Sequence, residues 1–177
     1  DEVLFDASKP HSKKDKELRE VMDDMFVDDM VDVIEEMPAN VVKRILASAD
    51  PQKRKEINEI LKYPHDSAGS IMTTEYVSLS KDLTCTQALS QIRKTGINKE
   101  TIYTCYVTKN RTLVGLVTVK DLLLAGDDDM KIKDLMITNL IYVNTQTDQE
   151  EVARMFSKYN FLALPVVDGD NRMVGIV

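Results

Sequence analysis

The chain has 177 residues, of which 43% are apolar and 30% charged, a composition typical of a globular protein with one or two domains. Thirty acidic residues against 23 basic ones give a formal net charge of −7, which argues against a nucleic-acid-binding protein. Cys85 and Cys105 lie in no CxxC motif, so neither a zinc site nor a disulfide framework is indicated, and a reducing compartment is expected.

The negative charge is concentrated at the start of the chain. Residues 1–36 hold 13 acidic and five basic residues, whereas the remainder holds 17 acidic and 18 basic ones. The excess in the first segment is therefore −8, and the rest of the chain is almost neutral. Such a segment is either a solvated helical face or a surface that repels itself until a metal ion neutralises it.

Four short helices are predicted in the first third of the chain. Three start signals separate them: an aspartate cap at Asp28 or Asp29, then Pro38, then Asp50 followed by proline. None of these helices can bury its apolar face alone, so we expect them to stack as a small array. The apolar faces, spaced as i, i+3, i+4 and i+7, are predicted to be Leu18, Val21, Met22 and Met25; Met30, Val33, Ile34 and Met37; Val42, Ile45, Leu46 and Ala49; and Ile57, Ile60 and Leu61.

From Gly69 onward, β-rich runs alternate with helical patterns, and the segment repeats itself. Residues 71–74 match residues 135–138 after 64 positions, and residues 113–117 match 173–177 after 60 positions. We therefore predict two tandem β-α-β-β-α units. The second unit reaches Val177 before its last helix, so we expect the chain to be part of a longer protein.

The predicted fold class is α+β. A superhelical domain of short helices is predicted at residues 1–64, and the two β-α-β-β-α units at residues 65–130 and 131–177, the second one truncated.

The tandem units resemble a pair of CBS domains, because the hairpin of the first ends in Gly115-Leu-Val-Thr-Val-Lys-Asp121. From about residue 16 onward, the chain resembles the cytosolic region of the MgtE family of magnesium transporters. The resemblance implies a helical N domain and a CBS pair on the cytoplasmic face of the cell membrane, joined to the protein's own transmembrane domain and forming a homodimer. The further motifs that carry it are residues 27–37, 66–73, 100–103, 148–154 and 161–168.

The resemblance also implies Mg²⁺ ligands. Asp28 and Asp32 match metal-contacting aspartates of the helical domain and lie four residues apart, hence on one helix face. A helix N-cap explains Asp28 equally well, but it does not explain Asp32. Gly69 corresponds to a position where the family offers a backbone carbonyl oxygen.

A second set of implied ligands lies in the second CBS unit. Asp148 and Glu150 match an acidic pair, although a capping box of Thr147 with Glu150, or of Asp148 with Glu151, would explain them too. Asn160 stands where an aspartate is expected, so it supplies an amide oxygen without charge.

An adenine nucleotide such as ATP is the second implied ligand. By resemblance, Asp121 accepts hydrogen bonds from ribose hydroxyls, Thr118 helps to fix a phosphate and Lys120 meets the phosphates. Phe161 stacks on adenine and Tyr103 lines the same cleft. The alternatives are a core role for Phe161 and a helix cap made by Thr118 and Asp121.

We find no pattern for catalysis. No Gly-rich phosphate loop precedes a helix, the two histidines are far apart in sequence, and neither cysteine has a nearby histidine. The expected function is that of a Mg²⁺-sensing regulatory region, in which Mg²⁺ bridging of acidic faces compacts the region and favours pore closure. The alternative is a CBS-pair adenine-nucleotide sensor that regulates an attached enzyme.

Overall fold

The computed structural model describes residues 13–177, apart from the side chains of residues 13–16, 18, 19 and 48. The beginning of the acidic segment and the predicted apolar contact of Leu18 therefore lie outside the described residues. The chain divides into two compact units, one ending at Glu59 and the other spanning Ile60–Val177, and each is described by itself. The first is helical and the second combines helices with two small sheets, as expected for the predicted α+β class.

From Lys13 onward, the first unit consists of four short helices, and this number agrees with the prediction. Pro38 is the N-cap of the third helix, and Asp50 Oδ1 accepts a hydrogen bond from the Gln52 backbone N–H (2.8 Å) at the start of the fourth. The N-cap of the second helix is Phe26, which makes no side-chain cap. The predicted aspartate cap is therefore wrong. The helices are α1 (Lys13–Asp24), α2 (Val27–Glu35), α3 (Ala39–Ser48) and α4 (Pro51–Ile60).

The buried face of α2 differs from the prediction because the helix begins at Val27. Met30 and Ile34 are buried as predicted, but Val33 is 40% exposed. The i, i+3, i+4, i+7 series starts one turn earlier, so Val27 and Val31 complete the buried face. In α1, Met22 is buried while Val21 is 61% exposed.

Two cations of α4 cap neighbouring helices. The Lys53 ammonium donates hydrogen bonds to the backbone carbonyls of Met22, Asp23 and Met25 at the end of α1, at 3.0, 2.6 and 3.1 Å. Arg54 Nη2 donates to two carbonyls at the end of α3, at 3.3 and 3.2 Å. The last carbonyls of a helix have no partner within it and carry its negative dipole end, so these cations stabilise the array.

Replacing Lys53 by Met is expected to lower the free energy of unfolding by about 1–3 kcal/mol, since three carbonyls lose a charged donor. Thermal unfolding followed by circular dichroism measures the change. Lys55→Met is the matched control, because Lys55 lies on the same helix, is exposed and carries the same charge. Equal melting temperatures for the two variants would contradict the capping role of Lys53.

The first repeat of the second unit contains a three-stranded sheet in the order β1-β2-β3. Strand β1 runs parallel to β2, which pairs antiparallel with β3. Helix α5 connects β1 to β2, and the short helix α6 follows β3. The elements are β1 (Ser78–Ser80), α5 (Cys85–Thr95), a 3₁₀ turn (Gly96–Asn98), β2 (Thr104–Lys109), β3 (Thr112–Thr118) and α6 (Val119–Leu123).

The second repeat has the same topology. Its sheet has the order β4-β5-β6, with a parallel first pair and an antiparallel second pair. The predicted tandem repeat is thus present in the strand order of both halves. The elements are α7 (Ile132–Leu135), β4 (Val143–Asn144), α8 (Gln149–Tyr159), β5 (Pro165–Val167) and β6 (Met173–Ile176).

Each repeat sends its leading segment across to the other. The segment at residues 66–69 bonds to the chain just before α8, and the segment 64 positions later bonds in the same way to the chain just before α5. The leading segment of each repeat therefore holds in place the start of the helix in the other repeat. The backbone bonds are Ala68 N–H to Thr147 O (2.7 Å), Gly69 N–H to Thr145 O (2.9 Å), Ile132 N–H to Leu83 O (2.9 Å) and Lys133 N–H to Lys81 O (3.0 Å).

Candidate functional site

The acidic face of α2 is the first candidate site. The helix sequence from Val27 to Glu35 contains four carboxylates and no basic residue. Asp28 is half-buried in the first turn, whereas Asp32 is exposed one turn later. The buried apolar face opposite them fixes their direction, so two carboxylates of like charge stand on one helix face.

Gly69 has a packing role in the structure. It is buried, and a Cβ atom at this position would lie 2.5 Å from Cγ of the Tyr63 ring. Its N–H donates to the Thr145 carbonyl across the repeats (2.9 Å). Close packing and this backbone bond explain glycine here, and a metal-facing carbonyl oxygen stays a prediction.

The other implied metal ligands lie at opposite ends of α8. Asp148 is the N-cap, and its Oδ1 accepts a hydrogen bond from Glu150 N–H at 2.8 Å. Thr147 Oγ1 instead accepts from Asn144 N–H (3.1 Å), so the capping box of Thr147 with Glu150 is not formed.

Asn160 ends the same helix in the left-handed conformation, with φ 54° and ψ 43°. Asparagine adopts this conformation more readily than most residues, which gives it a local role at the helix end. Asp148 lies twelve residues earlier, about 18 Å along the axis. One ion therefore cannot contact Asp148 and Asn160 together. Within residues 13–177, no group of three or more His, Cys, Asp or Glu side chains could hold a metal ion.

Thr118 and Asp121 form a capping box at the start of α6, as the helix-cap alternative predicts. Thr118 Oγ1 accepts from Asp121 N–H (3.1 Å), and Asp121 Oδ2 accepts from Thr118 N–H (3.1 Å) and its hydroxyl (2.5 Å). All the hydrogen bonds that this carboxylate makes within the described chain use Oδ2. Its Oδ1 therefore stays available for a ligand.

A cavity of about 300 Å³ lies between the two repeats. One wall is the face of the first sheet that carries Thr104, Tyr106 and Leu116. Thr104 pairs with Thr118 in the antiparallel register, so Thr118 belongs to the same sheet face. The capping box thus continues the cavity wall. The opposite walls are Ile137, Asn139 and Ile141, and residues 160–165.

The structure brings some of the implied nucleotide residues together. Phe161 lines the cavity and stacks on Tyr159, with ring centroids 5.4 Å apart and planes at 26°. Tyr103 is 70% exposed. It lies beside α6, where its backbone carbonyl accepts a hydrogen bond from Val119 N–H (3.1 Å). Lys120 is exposed on α6. Neither Tyr103 nor Lys120 lines the cavity itself.

Three polar residues that line the cavity were not predicted from the sequence as site residues: Thr104, Tyr106 and Asn139. The alternation of side chains along β2 could have identified Thr104 and Tyr106. Cys105 and Val107 face the apolar core of the first repeat, so Thr104 and Tyr106 must face the opposite side of the sheet. For Asn139 the sequence offers no such pattern. Asn160, expected as a metal ligand, also lines this cavity.

Both cysteines are buried and free. Burial raises the pKa of the Cys105 thiol to about 12, and burial together with Asp128 and Asp127 raises the pKa of Cys85. Because the thiolate is the reactive form, neither cysteine has the character of a nucleophile at neutral pH.

Among residues 13–177, none of the helices combines the length and the apolar character needed to cross a membrane.

Two family models match the chain. The MgtE intracellular N domain matches residues 11–66, and the CBS domain matches residues 68–128 and 132–177. Together they account for the helical unit and for both repeats.

Several of the similar proteins are magnesium transporters. The chain is 38% identical to the magnesium transporter MgtE of Thermus thermophilus over 85% of this chain and 34% of the relative, and 37% identical to that of Bacillus subtilis over 88% and 35%. It thus spans about a third of the length of these curated relatives. The crystal structure of the cytosolic domain of the Mg²⁺ channel MgtE in complex with ATP matches with a TM-score of 0.86 and 38% identity, covering 90% of this chain and 66% of that one.

Proposed function

This chain belongs to the MgtE family, and we propose that it is the cytosolic Mg²⁺-sensing regulatory region of an MgtE-like magnesium transporter or channel. It acts at the cytoplasmic face of the membrane, as a homodimer, on its own transmembrane domain. Mg²⁺ bridging of acidic faces compacts the region and favours pore closure. Both curated relatives reported above are named as transporters, which favours this function over a sensor attached to an enzyme.

The acidic face of α2 is the observation that carries the proposal. Val27, Met30, Val31 and Ile34 hold the helix by its buried face, so the carboxylates of Asp28 and Asp32 keep a fixed spacing. Mg²⁺ takes oxygen ligands in octahedral geometry and retains several waters, so one or two carboxylates per ion suffice. Such weak sites suit a sensor of an abundant cation, and they agree with the absence of a three-residue cluster in the described part of the chain.

The switch follows from differential binding. Without metal, acidic faces repel each other and the open arrangement is favoured. Bound Mg²⁺ turns the repulsion into bridging attraction, so the compact state binds the ions more tightly and its population increases.

Limited proteolysis of this 177-residue chain across a Mg²⁺ titration tests the proposal. We expect protection to appear as Mg²⁺ rises, and we expect Asp32→Asn to raise the midpoint about tenfold, equivalent to about 1.4 kcal/mol. Asp82→Asn is the control, because Asp82 is exposed in the first repeat and its substitution removes the same charge as Asp32→Asn does. The proposal would be overturned if the unaltered chain were cleaved at the same rate at low and at high Mg²⁺.

We also propose that an adenine nucleotide, with ATP as the leading candidate, binds in the cavity between the repeats. The arrangement supports it chemically. An aromatic ring lines an apolar cavity, and a carboxylate oxygen and a lysine lie at the adjoining helix start. In this arrangement Phe161 stacks on the base, Asp121 Oδ1 accepts ribose hydroxyls, and Thr118 and Lys120 meet the phosphates.

A further inference from the structure

The segment that precedes β4 forms one wall of the cavity between the repeats. Ile137, Asn139 and Ile141 line the cavity, whereas the two residues between them do not. Ile137 is bonded to Leu116 of β3 in both directions, with Leu116 N–H donating to the Ile137 carbonyl (3.0 Å) and Ile137 N–H donating to the Leu116 carbonyl (2.8 Å). This alternation is typical of backbone in which every second side chain points the same way, so the Asn139 side chain faces the cavity together with the two isoleucines.

The Asn139 side chain is accessible to a ligand. It is exposed, and its amide makes no hydrogen bond with any group within residues 13–177. Glu75, the counterpart 64 positions earlier in the first repeat, instead forms a partly buried ion pair with the Lys99 ammonium (2.9 Å). Both repeats thus carry a polar residue at this point, but only Glu75 has its partner inside the described part of the chain. The donor and the acceptor of the Asn139 amide are both available to a molecule in the cavity.

The other polar groups of the cavity are less suited to recognise a base. The Tyr106 hydroxyl is buried, without a hydrogen-bond partner among residues 13–177, and a ligand in the cavity does not reach it. Thr104 pairs with Thr118, which places it beside the capping box, where the ribose and the phosphates are proposed to lie. Asn160 already has a local role as the left-handed residue that ends α8. Asn139 is therefore the polar side chain best placed to meet a base.

The rest of the cavity suits a planar base without selecting one. Its walls are largely apolar, and Phe161 offers a ring for stacking, which any base satisfies. Lys120 lies outside the cavity on α6, so the base enters and the phosphates remain near α6. Adenine carries an exocyclic amino group with an acceptor nitrogen of the ring on either side of it. A primary amide is complementary to such a pair, because its oxygen accepts while its NH₂ group donates.

We infer that Asn139 is the specificity-determining residue of the cavity, and that its Oδ1 accepts a hydrogen bond from the exocyclic amino group of adenine while its Nδ2 donates to a neighbouring ring nitrogen. This inference rests on the proposed nucleotide binding and adds the residue that recognises the base. Phe161 contributes affinity for any base, whereas Asn139 rewards a base that presents the amino group.

Calorimetric titration with ATP and with purine riboside triphosphate, which lacks the exocyclic amino group, tests the inference. The unaltered chain is expected to bind ATP about tenfold more tightly than the analogue. Asn139→Leu is close in size but has no amide, so it is expected to bind the two nucleotides with affinities within about twofold of each other. A structural role for Asn139 would weaken both nucleotides equally and leave their affinity ratio unchanged.

Two further variants complete the design. Asn139→Asp keeps an acceptor oxygen, so it is expected to keep the preference for ATP although its charge weakens the binding of both nucleotides. Asn98→Leu is the matched control, because Asn98 is exposed on the 3₁₀ turn and does not line the cavity. This control is expected to bind both nucleotides as the unaltered chain does.

The possible failures are distinguishable. If the unaltered chain binds both nucleotides equally, or if Asn139→Leu prefers ATP as strongly as the unaltered chain does, the assignment of Asn139 is overturned while nucleotide binding stands. If the unaltered chain does not bind ATP, the proposed nucleotide binding fails and the role of Asn139 fails with it.

Discussion

Replacing Gly175 by Ala is expected to lower the free energy of unfolding of the second unit by about 2–3 kcal/mol. A Cβ atom at this position would lie 2.7 Å from the Thr73 carbonyl oxygen and 2.7 Å from Met72 Sδ. The Thr73 carbonyl accepts from Ile176 N–H (2.9 Å), and Thr73 N–H donates to the Ile176 carbonyl (2.8 Å). The backbone of Thr73 therefore cannot withdraw without breaking this link between the repeats.

The internal repeat supplies a control for Gly175. Gly115 occupies the matching position in the first repeat, but the three atoms nearest to its added Cβ all belong to the Met136 side chain, with Sδ at 2.6 Å. Methionine is flexible, so Gly115→Ala is expected to cost only about 1 kcal/mol. A Cβ at Gly169 meets nothing within 4 Å. Urea unfolding of the Gly175→Ala, Gly115→Ala and Gly169→Ala variants measures how much free energy of unfolding each one loses. Equal losses for Gly175→Ala and Gly169→Ala would refute the cross-repeat contact.

Replacing Asp121 by Ala is expected to weaken ATP binding at least 100-fold. In the proposed arrangement, Asp121 accepts two hydrogen bonds from ribose hydroxyls; such bonds to a carboxylate contribute about 1.5–3 kcal/mol each, and the variant would lose both. The same substitution removes the capping box of α6, which lowers the stability of that helix start by about 1 kcal/mol. Calorimetric titration with ATP measures the affinity, and thermal unfolding measures the stability.

The chain provides a second capping box that separates these two effects. Thr84 and Gln87 form the same reciprocal pair at the start of α5, and neither residue lines the cavity between the repeats. Gln87→Ala is expected to lose a comparable amount of stability and to bind ATP normally. If Asp121→Ala binds ATP as tightly as Gln87→Ala does, Asp121 is not a ribose ligand and acts only as a cap.

Local patterns in the sequence were sufficient to predict the elements. Apolar spacing predicted four short helices, and the recurrence after about 60 residues predicted two units of the same topology. The helix start at Thr118 and Asp121 was also readable, because a capping box depends on residues three positions apart. The sequence-based resemblance to the MgtE family agrees with the domain matches.

Contacts between distant residues could not be predicted in this way. The aspartate cap of α2 is wrong because the helix begins at Val27, a boundary that depends on which apolar residues the array buries. Lys53 resembles any surface lysine in the sequence, yet it contacts carbonyls about 30 residues away. The metal roles of Asp28, Asp32, Gly69, Asp148, Glu150 and Asn160 stay predictions.

The sequence by itself therefore determined the fold class and the internal repeat, because both follow from local periodicity and spacing, and its motifs carried the resemblance to the MgtE family. Only the tertiary structure decided that the repeats exchange their leading segments and that the Tyr106 hydroxyl is buried without a partner among the described residues. These features arise where elements far apart in sequence pack together. Their distances depend on the folded backbone rather than on any pattern along the chain.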